Sequence, residues 1–99
     1  MNIELLKVLN SHLEIPFVFH GGSGNPDEEI REAVKHGVCK VNLSSDLKSV
    51  FFRAIRERLN EAPGKYEPID VYPPANEKVK EVVRHKLAVL NTIGKAAEY

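Results

Sequence analysis

Two short apolar runs, "IPFVF" at residues 15–19 and "VCKVNL" at 38–43, are separated by a single helix-length stretch, and no third run of this kind follows. Each is bounded by turn-forming residues and carries the β-branched or aromatic side chains of a strand. The unit is therefore β/α/β, with parallel strands joined by a right-handed crossover. Two parallel strands alone leave two open edges, whereas parallel sheets occur covered on both faces and extended by further strands. The pattern predicts a portion of a larger α/β fold, completed by further sequence or by a partner.

Helical signals surround the two runs. Ile3, Leu6, Leu9 and Leu13, with Leu5 beside them, predict an amphipathic helix over residues 2–13. Between the strands, Asn25 reads as an N-cap, Pro26 as the first helical position and Glu28 as the capping-box partner. Ile30, Ala33 and Val34 form the stripe of that helix, and His36-Gly37 its end. Ser44 or Ser45 caps a third helix with Leu47, Val50, Phe51, Ala54, Ile55 and Leu59 at helical spacing. "APGKYEP" and "VYPPAN" predict an irregular connection. A last helix is expected from about Asn76, with Val79, Val82, Val83, Leu87 and Leu90 on one face, and "TIGKAAEY" as a frayed tail.

Composition narrows the class. With 99 residues the chain has room for one modest core. Its 14 basic and 14 acidic residues cancel, so the basic excess of a nucleic-acid binder is missing. The single cysteine, Cys39, excludes an internal disulfide, and its apolar run predicts a buried, inert thiol. "MNIELLKVLNSHLE" lacks the pattern of a signal peptide, and no run approaches the roughly 18 apolar residues of a membrane span. A cytoplasmic protein with no nucleic-acid or membrane partner is expected.

The candidate chemistry gathers where the strands end. Alternation places Pro16, Val18 and His20 on one face of the first strand and Phe17 and Phe19 on the other. In the second strand, Val38, Lys40 and Asn42 share a face opposite Cys39, Val41 and Leu43. His20 and Asn42 are thus expected side by side at the carboxyl ends of neighbouring strands, where α/β enzymes keep their chemistry. Gly21, Gly22 and Gly24 let the backbone approach a ligand closely, and the helix start behind them favours an anion. Asn42, Ser44 and Ser45 add donors on the adjacent loop. "GGSG" alone reads as a flexible connector; with the helix start behind it and the polar loop beside it, a phosphate cradle is the better reading. His20 taken alone fits either a half-buried structural histidine or a metal ligand. Lys40 is expected to face a barrel interior, paired with a carboxylate of a neighbouring strand; a Schiff-base lysine is the sharper alternative. His12 and His85 read as solvated, His36 as a cation at a helix end, and Asp27, Glu28 and Glu29 as ordinary helix-start acids.

At "FVFHGGSGNPDEEIREAVKHGVCKVNLSSDL" the sequence resembles the C-terminal part of class II, metal-dependent fructose-bisphosphate aldolases, with the tagatose-bisphosphate aldolase branch close. The resemblance extends through "LLKVLNSHLEIP" upstream and "YEP" and "VKEVVRHKLAVLN" downstream. It implies the α/β class, and more narrowly the C-terminal portion of a TIM (β/α)8 barrel, with residues 1–99 supplying the last two β/α units and the terminal helix rather than a complete domain. It implies reversible cleavage of a ketose bisphosphate, fructose 1,6-bisphosphate or its tagatose counterpart, into two triose phosphates.

By the same resemblance His20 is one of three zinc ligands, the other two lying outside this chain. Asn42 contacts the substrate at its reacting end as the catalytic residue here. Gly21, Gly22, Ser23, Leu43, Ser44 and Ser45 line the phosphate site, with a monovalent cation nearby. Partners are then a sugar phosphate and either further copies in a homo-oligomer or the missing remainder of the barrel. Two stretches depart from the family pattern. Ser44-Ser45 stand where Ala-Thr or Asp-Thr is common, and "LNTIGKA" replaces a stretch that usually contains Phe-Gly-Ser. A non-catalytic phosphate-binding half-barrel that closes by oligomerising is the alternative from another class. With one histidine and no third strand, the chain by itself is expected to be inactive.

Overall fold

A computed structural model describes residues 1–99, which divide into two compact units: Met1–Ser44 with Leu87–Tyr99, and Ser45–Lys86. In the first unit, helix α1 (Ile3–His12) is opened by Asn2, whose side chain accepts the Leu5 N–H at 3.0 Å. Strand β1 (Phe17–Phe19) pairs in parallel with β2 (Val38–Val41), and helix α2 (Asp27–Lys35) connects them. Ile30 and Ala33 of α2, Val38 of β2 and Val89 form the core of this unit. At Gly37 the backbone takes φ +100°, and a Cβ there would stand 2.4 Å from Oδ1 of Asn10. Only glycine allows that turn with α1 so close.

The register corrects the simple alternation read from sequence. Phe17 pairs with Val38, but Val18 pairs with Lys40 and Phe19 with Val41, so Cys39 is an extra residue in the second strand. This irregularity puts both Val38 and Val41 on the covered side and turns Cys39 outward. Cys39 is therefore exposed, not buried as its apolar run suggested.

The α2 start differs from its capping-box reading. The helix opens at Asp27, and Pro26, which occupies the cap position, makes no side-chain cap bond. The Pro26 carbonyl accepts from Glu29 and Ile30 at 3.1 and 3.2 Å, while Glu28 pairs with Arg31. Asn25 uses its side chain elsewhere, as described below.

The two strands are the whole sheet, so each keeps one edge with no strand beside it. Helix α1 buries none of its residues: Leu5, Val8 and Leu9 are exposed, as are Leu13, Ile15 and Val18 beyond it.

In the second unit, α3 (Ser45–Glu61) is followed by α4 (Pro68–Val89), whose last three residues belong to the first unit. Ala54, Val71 and Ala75 are the buried positions, small enough for close helix packing. Phe51 stacks on Tyr72 with ring centroids 6.0 Å apart, and Lys86 reaches Asp46 at 3.7 Å.

"VYPPAN" lies inside α4 instead of forming a connection. Pro74 has no N–H for the Asp70 carbonyl one turn earlier. Nε of Arg58 donates to that carbonyl at 3.0 Å and replaces the missing bond. The helix therefore begins eight residues before Asn76. Its inner stripe runs through Val71, Ala75, Val79 and Val82, leaving Val83 and Leu87 exposed. At the tail, Lys95–Glu98 form an exposed 3-10 turn in place of a frayed end. No helix is long and apolar enough to cross a membrane.

Candidate functional site

Backbone hydrogen bonding carries the two strands past their formal ends. The Asn42 N–H donates to Phe19 O, and the Gly22 N–H donates to Asn42 O, both at 2.9 Å. This places His20 and Asn42 side by side, as their positions in sequence predicted, with Nδ2 of Asn42 2.7 Å from Nδ1 of His20. Asn42 is half-buried and His20 exposed, so the ring is held at Nδ1 by its neighbour while its other edge meets solvent.

The contact couples amide orientation to tautomer. With the Asn42 NH2 donating, Nδ1 carries the lone pair and Nε2 the hydrogen. Turning the amide over sets its oxygen against Nδ1–H and leaves Nε2 with a lone pair able to bind a metal.

The glycine loop is tied to both strand ends. Gly21 and Gly24 adopt left-handed conformations, φ +68° and +78°. Gly22 is buried, and a Cβ on it would meet Val41 Cγ1 at 2.5 Å and Leu43 Cδ2 at 3.0 Å. Its lack of a side chain lets the loop lie on the end of β2. Its N–H is held by Asn42, so the Gly22 amide serves the fold before any ligand. Oγ of Ser23 accepts the Ser44 N–H at 3.2 Å, a direct link between the two candidate loops. Nδ2 of Asn25 donates to Gly21 O at 2.9 Å and, more weakly, to Ser23 O at 3.5 Å.

The structure thus brings His20, Gly21, Gly22, Ser23, Asn42, Leu43 and Ser44 together in the first unit. Ser45 opens α3 and belongs to the second. Lys40 pairs with Val18 across the ladder and is exposed. The carboxylate expected beside it is missing, because the one neighbouring strand is Phe17-Val18-Phe19. His36 lies 3.6 Å from Glu32 at the end of α2. Glu32 is held below the usual carboxylate range, chiefly by the hydrogen bond from Lys35, and Lys35 is raised by the same pair.

A complete zinc centre is not present. No three His, Cys, Asp or Glu side chains converge to hold a metal, and catalytic zinc takes about three protein ligands. His20 is the single candidate donor at this site.

Sequence reading missed two parts of this arrangement. By sequence Asn25 reads as a helix N-cap, although an asparagine directly after a glycine loop also has donors for the loop's carbonyls. The contact between Ser23 and Ser44 depends on strand register, which no short motif reveals.

Residues 1–95 match the family model described as class-II fructose-bisphosphate aldolase. The chain belongs to the class II fructose-bisphosphate aldolase family. It is 37% identical over 94 residues to the D-tagatose-1,6-bisphosphate aldolase subunit GatY of Klebsiella oxytoca, covering 95% of this chain and 33% of that protein. It is 36% identical over 84 residues to the fructose-bisphosphate aldolase of Geobacillus stearothermophilus, covering 85% and 29%. The YdjI aldolase of Escherichia coli K12 superposes with a TM-score of 0.84 at 26% identity, over 97% of this chain and 36% of that one. Fructose-bisphosphate aldolase from Campylobacter jejuni gives 0.81 at 26% identity, over 94% and 35%. The chain spans about a third of the length of these relatives.

Proposed function

We propose that this chain is the site-bearing C-terminal third of a metal-dependent aldolase barrel that cleaves a ketose bisphosphate into two triose phosphates. One observation carries the reading: the 2.7 Å contact between His20 and Asn42 at adjoining parallel strand ends, with the glycine loop fastened directly beside it. The family supplies the reaction class. The substrate alternatives, fructose or tagatose 1,6-bisphosphate, come from the names of the relatives.

The proposed division of labour follows the family resemblance, and the geometry is compatible with it. Cleaving the carbon–carbon bond next to a carbonyl leaves an enediolate whose charge has to be held. A bound zinc supplies Lewis acidity for that charge, and His20 is the one ligand this chain offers to it. Asn42 sets the ring's orientation and stands at the reacting end of the substrate. Gly21, Ser23 and the Ser44 loop take the remote phosphate, with a monovalent cation to balance its charge. Phosphate binding at a distance from the reacting bond goes into orientation. Leu43 supports the loop from beneath, where it faces Gly22.

The remaining strands and metal ligands come from outside residues 1–99, which explains the two open edges and the uncovered face of α1. A test joins this chain behind the upstream two-thirds of the Geobacillus stearothermophilus aldolase and assays both bisphosphates. Triose phosphate release by the joined protein, abolished by a chelator and absent from the 99-residue chain, is expected. A folded joined protein that cleaves neither sugar, or cleavage by the short chain alone, contradicts the proposal.

A further inference from the structure

We infer that Asn25 is a positioning residue: its side-chain amide clamps the glycine loop and, through it, sets the contact between Asn42 and His20. The inference rests on the site proposed above but concerns a residue to which that reading gave no part in the chemistry.

Both partners of Asn25 Nδ2 are carbonyl oxygens, Gly21 O at 2.9 Å and Ser23 O at 3.5 Å. Only the NH2 end of the amide can satisfy them, so the orientation of the group is fixed by chemistry. A trans peptide points its C=O and N–H in opposite directions. Holding Gly21 O therefore aims the next amide, that of Gly22, away from Asn25, and this amide donates to Asn42 O at 2.9 Å. The 21–22 peptide is thus gripped at both ends, by the Asn25 side chain and by the Asn42 backbone. Asn42 in turn holds Nδ1 of His20. The second, weaker bond restrains the 23–24 peptide in the same way, next to the Ser23 hydroxyl that binds the Ser44 amide.

The flanking glycines make such a clamp necessary. Gly21 and Gly24 have left-handed φ and open space where a Cβ would stand, so neither has side-chain packing to anchor it. Pro26, next in sequence, limits Asn25 to extended backbone conformations.

Substituting aspartate separates this role from helix capping. Asp caps a helix N-terminus about as well as Asn, but an ionised carboxylate donates no hydrogen bond. The experiment compares the full chain with Asn25→Asp and Asn25→Ala in three readings: amide hydrogen exchange at Gly22, the 15N shifts of the His20 ring, and binding of inorganic phosphate. Exchange at Gly22 is expected to rise roughly five- to tenfold in both variants, the value of one hydrogen bond, with the His20 ring signals moved and α2 still helical. Equal Gly22 exchange in wild type and Asn25→Asp, or an unmoved His20 signal, overturns the inference. Phosphate binding judges the proposed site separately. Failure of the wild type to bind counts against the anion cradle, while the exchange result still decides the clamp.

Discussion

The two units of this chain use their residues differently. Ser45–Lys86 is a pair of helices, in which most backbone groups find partners within their own element, and Arg58 of α3 supplies the donor that Pro74 withholds from Asp70 O. Met1–Ser44 with Leu87–Tyr99 contains a sheet, whose hydrogen bonds must come from another strand, and only two strands are present. Helices can close a local account of hydrogen bonds that a parallel sheet cannot. All the candidate chemistry except Ser45 sits in the second of these arrangements, the one with open edges. On the proposed reading, the candidate site sits on a sheet that further strands extend.

Substitutions in each unit test that contrast. In the joined aldolase, Asn42→Ala removes the hydrogen bond that orients His20 and should lower turnover about 10- to 100-fold, the usual cost of losing such a support. Unchanged turnover would detach the pair from catalysis. Gly22→Ala forces a methyl against Val41 Cγ1 at 2.5 Å and should cost about 1–3 kcal/mol of stability through overpacking. Its damage should concentrate at the loop, visible as altered amide shifts for residues 20–26 with α3 and α4 unmoved.

Arg58→Ala tests the helical unit. It strips the replacement donor from Asp70 O and should cost about 1 kcal/mol, read as a lower thermal midpoint, with the His20 and Asn42 signals unchanged. The smallest effect belongs to the exposed pair of Glu32 and Lys35. The lowered Glu32 carboxyl contributes stability above its unfolded pKa, and that contribution is lost as pH falls through its folded value. The raised Lys35 loses its share as pH rises through its own folded value. Glu32→Gln should flatten the acid limb of a stability–pH curve slightly and barely move the neutral midpoint, because water screens both groups.

Much of the fold was legible in the sequence because periodicity and turn residues are local. The strand–helix–strand order, the first amphipathic helix and the meeting of His20 with Asn42 all follow from spacing. The errors arose where a distant partner decides. Pro73 and Pro74 read as breakers, since Arg58 lies twelve residues before the carbonyl it serves. Cys39 read as buried because a strand irregularity leaves no mark in composition. Asn25 read as a cap because its loop partners become visible only when Gly21 and Gly24 turn left-handed. At the site, residue types and strand positions were legible; the links from Ser23 to Ser44 and from Gly22 to Asn42 required the register.

On the proposed reading, the site-bearing unit is finished only by strands it does not itself contain. The most direct measurement is the mass of the chain in solution by sedimentation equilibrium, alone and with the upstream two-thirds of the Geobacillus stearothermophilus aldolase added. Open edges predict species heavier than the 11.1 kDa chain when it is alone, giving way to a one-to-one complex with the added segment. A monodisperse 11.1 kDa monomer that unfolds cooperatively and ignores the segment would contradict it.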